Sequence, residues 1–203
     1  MKNSLISIFI IFFTVACNND YKYNKKANLL ITNNIEKITN DKAKLEFIKA
    51  TKQIDRSRFF KAKKHLEKAY EYESNNLIII NAFANNETNL GNYDSAINLY
   101  EKAIKNDSTF YETYANYGVL LNSLEKYEKA KIIMIKAVTH HNYENLFDSI
   151  ISYNLALSYI GLKDYGNALS FAKRSLSYCT NATMRQEIED LIRHIEKVNE
   201  KEN

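Results

Sequence analysis

The sequence predicts an all-α fold, an α-solenoid of about four helix-turn-helix units followed by a capping helix. The chain has 203 residues, no Pro and only four Gly, so it lacks the strong breakers that the turns of an all-β fold need. Hydrophobic residues make up 45% and charged residues 26%, which is typical of a soluble chain that buries a core. Similar short stretches also recur along the chain. They are centred on Ala62, Ala96, Ala130 and Ala168, spaced 34, 34 and 38 residues apart.

An apolar segment follows the positively charged start of the chain. Residues 5–16 contain only Ser7 and Thr14 as polar interruptions. Twelve helical residues reach about 18 Å, short of the roughly 30 Å hydrocarbon core of a bilayer. Residues 1–16 are therefore predicted to be a signal peptide rather than a permanent membrane span.

This segment ends at a cysteine that small residues precede. Thr14-Val15-Ala16-Cys17 resembles the lipobox of bacterial lipoproteins. The resemblance implies removal of the preceding segment, acylation of Cys17 with fatty acids such as palmitate, and anchoring in a bacterial cell envelope, in the outer rather than the inner membrane. An ordinary signal peptide with an incidental cysteine and an uncleaved anchor remain alternatives. With Cys17 acylated, Cys179 would have no disulfide partner and is interpreted as a half-buried hydrophobe.

Two different segments precede the repeats. Residues 17–26 show no apolar periodicity and are predicted to be a flexible tether. Residues 27–42 place Ile31, Ile35 and Ile38 on one face of a helix, which predicts an N-terminal helix packed on the repeats.

Small residues recur at three fixed places in each repeat. Seven residues after the central alanines come Ala69, Ala103, Ala137 and Ser175, and twelve residues before them come Ala50, Ala84, Gly118 and Ala156. Small side chains let two helices cross closely. The pattern and the period resemble the tetratricopeptide repeat, a helix-turn-helix unit of 34 residues. The resemblance implies a right-handed superhelix with units at 43–76, 77–110, 111–144 and 149–182, in which Tyr93, Tyr127 and Tyr165 begin the second helices and wedge between neighbouring units.

A final amphipathic segment follows the fourth unit. Thr183-Met184-Arg185-Gln186 resembles a capping box. The apolar stripe beyond it consists of Met184, Ile188, Leu191, Ile192, Ile195 and Val198. Residues 183–203 are therefore predicted to be the C-terminal capping helix that a repeat array needs.

The sequence contains no motif of a known catalytic or cofactor site. It has no H-E-x-x-H, no G-x-S-x-G, no phosphate-binding loop and no paired cysteines at metal spacing. His140 and His141 lie in the insertion between the third and fourth units, without a further ligand pair. We therefore expect neither an enzyme nor a cofactor or metal site.

The resemblance implies a peptide-binding groove along the first helices of the units. The residues expected to face it are Phe47, Thr51, Asn81, Asn85, Thr88, Asn89, Asn116, Asn122, Tyr153 and Asn154. Amide side chains both donate and accept hydrogen bonds, which suits an extended peptide backbone. The lysines of a carboxylate clamp are missing, since Phe47, Glu112 and Ala115 occupy their places. Compositional drift on a solvated face is the alternative explanation of the asparagines.

Basic residues cluster in the first unit. The predicted basic patch consists of Lys49, Lys52, Arg56, Arg58, Lys61, Lys63 and Lys64. Because the chain is expected to be exported, anionic membrane headgroups are a better match for this patch than nucleic acid. A solvated basic face is the alternative.

These features predict a membrane-anchored adaptor lipoprotein that binds a protein or peptide partner and assists assembly of an envelope complex. Tetratricopeptide lipoproteins of outer-membrane protein assembly and of secretin assembly share this plan, so the comparison is one of architecture. The alternative function is a surface-exposed lipoprotein that binds a host or environmental ligand.

Overall fold

The computed structural model describes residues 21–24, 29–32, 34–139, 146–180 and 182–202. Nine α-helices lie in these ranges: α1 (Asp41–Ile54), α2 (Phe59–Tyr72), α3 (Leu77–Asn89), α4 (Tyr93–Asn106), α5 (Tyr111–Ser123), α6 (Tyr127–Thr139), α7 (Leu146–Gly161), α8 (Tyr165–Tyr178) and α9 (Ala182–Glu202). Before them come an antiparallel hairpin of β1 (Tyr21–Asn24) and β2 (Leu29–Thr32) and a short 3-10 helix at Ile35–Lys37. The predicted helical solenoid is confirmed, and the hairpin is an addition to it.

The helices pack in pairs that stack in sequence order. α1 packs on α2, α3 on α4, α5 on α6 and α7 on α8, and each second helix also contacts the first helix of the next unit. α3 contacts α5, and α5 contacts α7. The first helices of successive units therefore share one side of the array, which we call the A-helix face (α3, α5 and α7).

The recurring small residues lie where the helices cross. Ala96 and Ala130 are fully buried. A Cβ atom added to Gly118 would lie 2.3 Å from Cγ of Met134, so α5 and α6 touch at this point. A Cβ atom added to Gly161 would lie 2.5 Å from the ring of Tyr127. The predicted wedge of Tyr127 between the third and fourth units is therefore confirmed.

The predicted N-terminal helix over residues 27–42 is wrong. Residues 29–32 form β2, residues 35–37 form the 3-10 helix, and the first α-helix begins only at Asp41. Leu29, Leu30 and Ile31 are consecutive apolar residues, a pattern that favours a strand over a helix once a partner strand is available, and Asn33-Asn34 disfavours helix continuation. Residues 21–24 of the predicted tether form β1 instead.

Several sequence predictions fall on parts of the chain outside the described residues. These are the signal peptide at 1–16, the acylation site Cys17 and the His140-His141 pair. They stay predictions.

The last helix covers the open end of the array. α9 packs on α8, and Met184, Ile188 and Ile195 from the predicted stripe are buried. Cys179 is buried beside Met184 and Ile188, as a small hydrophobe would be.

Candidate functional site

The asparagines predicted to line an open groove are buried in the structure. Asn81, Asn85 and Asn116 on α3 and α5 are only 1–2% exposed. The expectation that Asn85 and Asn116 face an open groove is therefore wrong. The polar A-helix face of the second and third units is covered rather than open to solvent.

Hydrogen bonds between neighbouring helices hold these amides in place. The amide nitrogen of Asn116 donates to Oδ1 of Asn81 at 3.4 Å, which links the third unit to the second. The Tyr100 hydroxyl donates to Oδ1 of Asn85 at 2.6 Å, which links α4 to α3. Burial raises the pKa of Tyr100, so its phenol stays protonated and remains a donor at neutral pH. The orientation of these amides is therefore set by hydrogen bonds to neighbouring side chains of the same chain.

The hairpin explains why this face is covered. β2 lies against both α3 and α5, so an extended segment of the same chain runs over the side where the groove was predicted. Its backbone is extended and pairs with β1 from Tyr21 opposite Thr32 to Asn24 opposite Leu29. The sequence analysis missed this contact because it assigned residues 27–42 to a helix.

Two further groove candidates connect the third and fourth units. The amide nitrogen of Asn122 donates to the backbone oxygen of Asn154 at 2.9 Å, and the Ser158 hydroxyl donates to Oδ1 of Asn122 at 2.7 Å. Both bonds cross from α5 to α7. Asn122 therefore aligns two neighbouring first helices, and Ser158 is a partner that the sequence analysis did not identify.

The other groove candidates have different surroundings. Phe47 is fully buried in the core of the first unit, in the same cluster as Ile38, so its assignment to the groove is wrong. Phe47 lies on the buried stripe of α1 together with Ala43, Ala50 and Ile54. Thr51, Thr88 and Asn89 are half-buried, and each donates to a backbone oxygen of its own helix.

Tyr153 packs against a separate apolar cluster at the C-terminal end. The cluster contains Cys179, Met184 and Ile188. Burial, and then the nearby Glu187 carboxylate, raises the pKa of Tyr153 to about 12. Tyr153 therefore does not lie on the face that α3 and α5 form.

Polar groups that sequence reasoning missed lie in the same part of the fold. Glu87 is 1% exposed and accepts from Nζ of Lys63 and from the amide of Asn92, both at 3.0 Å. Oε1 of Glu87, both amide atoms of Asn86 and the hydroxyl of Thr113 are buried without a hydrogen-bond partner in the described structure. The repeat register could have identified Glu87, since it holds the position that Leu121 occupies one unit later.

The predicted basic patch divides into paired and unpaired cations. Nζ of Lys49 lies 2.6 Å from Oε1 of Glu46, and the hydrogen bonds of Lys49 and His65 hold the pKa of that carboxyl below its ordinary value. Lys63 pairs with Glu87. The remaining patch residues are exposed: Lys52, Arg56, Arg58, Lys61 and Lys64.

A sequence model of the tetratricopeptide repeat family matches three segments of the chain. They are residues 81–110, 111–139 and 151–181. Each of these segments is similar to a tetratricopeptide repeat. They coincide with the helix pairs α3/α4 and α5/α6 and with most of α7/α8.

Solved structures of tetratricopeptide solenoids show the same fold. MamA from Desulfovibrio magneticus RS-1, residues 41 to the end, superposes with a TM-score of 0.62 at 15% identity, covering 81% of this chain and 98% of that one. PilF of Pseudomonas aeruginosa gives 0.68 at 23% identity, covering 77% and 70%. PilW, a widely conserved type IV pilus biogenesis factor, gives 0.63 at 20% identity, covering 68% and 63%. At these identities the similarity establishes the fold alone.

No curated protein sequence matches the chain. Among the described helices, none is both long and apolar enough to cross a bilayer. The described side chains include no group of three His, Cys, Asp or Glu residues that could hold a metal ion.

Proposed function

We propose that this protein is an adaptor that binds an extended segment of a partner protein on the A-helix face of α3 and α5. The observation that carries the proposal is β2, an extended segment that already lies against both helices. A surface that takes one extended backbone has the shape to take another. The half-buried Thr88 and Asn89 add polar groups at the C-terminal end of α3.

In this proposal, β2 occupies the position of the partner segment. A partner strand would replace it on α3 and α5, so the two compete for one surface. Competition lowers the apparent affinity by the fraction of molecules in which the surface is free. A partner would therefore bind more tightly when the hairpin is absent.

A photo-crosslinking experiment in native membranes tests this binding face. A photoreactive residue at Asn89 on α3 is expected to yield a partner adduct, whereas the same residue at the exposed Ile132 on α6 is the matched control. A synthetic peptide with the sequence of residues 27–34 should decrease the Asn89 adduct, and a scrambled peptide of the same composition should not. Equal adducts from both positions, or equal effects of both peptides, would exclude this face as the binding site.

The proposal also includes a lipid anchor at Cys17 that holds the adaptor in a bacterial cell envelope. Support comes from the apolar run and the small residues before this cysteine. Cys17→Ser should abolish labelling by radioactive fatty acid and partition into the detergent phase. Labelling that persists in the variant would contradict the anchor.

The membrane face separates an envelope adaptor from a surface receptor for a host or environmental ligand. Protease added to intact cells would digest a surface-displayed protein and would spare a periplasmic one. We expect the protein to be protected from the protease, because an assembly adaptor acts in the periplasm, where its exported partners arrive. Digestion of intact cells would favour the receptor.

A further inference from the structure

One end of the first helix pair is cationic and exposed. Apart from Asp55, the exposed side chains around the turn from α1 to α2 are Lys52, Arg56, Arg58, Phe60, Lys61 and Lys64. We call this set the basic tip. It contains the C-terminal end of α1, the connecting turn and the first half of α2, and so forms an edge of the array rather than its A-helix face.

Within the described part of the chain, no ion pair neutralises the charge of the basic tip. Over residues 52–64 the chain has six cations and a single carboxylate, Asp55. Lys63 is the cation that forms an ion pair, with Glu87. In the described structure the five cations of the basic tip form no ion pair. Their free energy is therefore lowered when an external anionic surface approaches.

An exposed aromatic ring lies among these cations. Phe60 is 77% exposed, more than any other large hydrophobic side chain in the described structure. Its neighbour Phe59 packs against the core of the first unit, so the sequence places one Phe inward and the other outward. A shallow cleft here is lined by Phe60, Arg58 and Lys61. Asn89 and Leu90, at the C-terminal end of α3, also border it. No contact within the described fold accounts for an outward Phe at this position.

We infer that the basic tip docks on an anionic lipid bilayer. The cations would contact headgroup phosphates, while the Phe60 ring would enter the boundary between headgroups and acyl chains. A flat acidic protein surface would satisfy the charges but would leave the ring against polar groups, so the pairing of ring and cations favours a bilayer. The inference builds on the proposed envelope adaptor, because docking would orient a lipid-anchored array at the membrane.

Single-tryptophan fluorescence measures this contact directly. The chain has no Trp, so Phe60→Trp introduces the only indole, and Ile132→Trp is the matched control at another exposed apolar site. Both are made in the full chain with Cys17→Ser, which keeps the result independent of acylation. Vesicles contain phosphatidylcholine alone or in equal parts with phosphatidylglycerol, and their acyl chains are brominated.

The Phe60→Trp emission should shift to the blue and be quenched by the anionic vesicles only. The Ile132→Trp emission should be unchanged in both. Adding Arg58→Gln, Lys61→Gln and Lys64→Gln should weaken anionic vesicle binding on the order of a hundredfold, whereas Lys105→Gln, Lys126→Gln and Lys197→Gln, with the same loss of charge, should alter it only a few-fold. Binding should also weaken at high salt.

Three outcomes would overturn the inference. The first is an indole at position 60 that anionic vesicles do not quench. The second is an equal loss of vesicle binding from the two triple substitutions. The third is an indole at position 60 that a dye attached to polyglutamate quenches but vesicles do not. The last result would assign the basic tip to an acidic protein partner. Asn89 also borders the cleft at the basic tip, so the adaptor function is read from the decrease of its adduct by the peptide of residues 27–34, which the vesicle experiment does not measure. Failure of the docking surface and failure of the adaptor function can therefore be told apart.

Discussion

At the scale of single residues, the turn inside each helix pair has one recurring backbone conformation. Ser57, Gly91, Glu125 and Lys163 all have positive φ, at 56°, 79°, 58° and 60°. The next residue donates its N–H five residues back, as Arg58 does to the Gln53 oxygen at 2.9 Å. This is the Schellman closure of a helix C-terminus, which requires a left-handed residue. Three of the four residues are not Gly, so these turns carry backbone strain.

Relieving this strain should stabilise the array. Glu125→Gly and Lys163→Gly are each expected to raise the free energy of unfolding by up to about 1 kcal/mol, because Gly adopts positive φ without a Cβ clash. Gly91→Ala should lower it by about the same amount, and since no atom lies within 4 Å of the added Cβ, the cost is one of backbone conformation. Urea denaturation measures all three.

The same substitution at Glu67 is the matched control for these turns. Glu67 is exposed, lies inside α2 and is not among the residues with positive φ. Glu67→Gly should lower the free energy of unfolding by about 0.5–1 kcal/mol, because Gly has more conformational freedom to lose when it enters a helix. Stabilisation by Glu67→Gly as well would contradict the strain explanation.

At the scale of helices, small side chains determine how closely a pair can approach. Ala96 on α4 and Ala130 on α6 are equivalent positions one repeat apart, and neither is exposed. Both belong to the cluster that runs through the later units. The second helix of each pair therefore has no space for a larger side chain at this position.

Overpacking at these positions tests the repeat register. Ala96→Leu and Ala130→Leu are each expected to cost about 1–3 kcal/mol, because added methylenes force side chains out of their rotamers or shift the helices. Asn98→Leu, on the exposed side of α4, is the matched control and should be nearly neutral. Thermal unfolding followed by circular dichroism gives the comparison, and an unchanged Tm for both alanine variants would refute the register.

At the scale of the whole molecule, the array ends in a helix that covers the last pair. α9 buries Ile188 and Ile195 and leaves Arg193 and Lys197 exposed. A repeat unit cannot bury its apolar face alone, so the end of the array depends on this helix. Loss of α9 packing should first open the fourth unit.

Ile188→Ala tests the contribution of the cap. Removing this fully buried side chain should cost about 2–5 kcal/mol, whereas Val198→Ala, at a half-buried position on the same helix, should cost less. Hydrogen exchange should show faster opening of α8 and α9 while α3 and α4 keep their protection, since stability in a solenoid depends on neighbouring units. Uniform loss of protection along the chain would instead indicate one cooperative unit.

The sequence predicted local features well where a residue's role depends on its repeat position. The 34-residue spacing of alanines predicted both the helix pairs and the buried crossings at Ala96 and Ala130. The resemblance to the tetratricopeptide repeat implied the wedge of Tyr127. It failed for Asn85 and Asn116, because the register identifies the helix face that a side chain occupies but not what covers that face.

The sequence by itself determined the all-α class, the length and order of the units, the small residues at the crossings and the amphipathic last helix. These follow from periodicity, which is a local property of the chain. The tertiary structure decided that residues 29–32 form a strand on α3 and α5, that Phe47 is buried, and that Phe60 points outward while Phe59 packs inward. Each of these depends on contacts between residues far apart in sequence or on the orientation of a helix within the array, and a linear pattern carries neither.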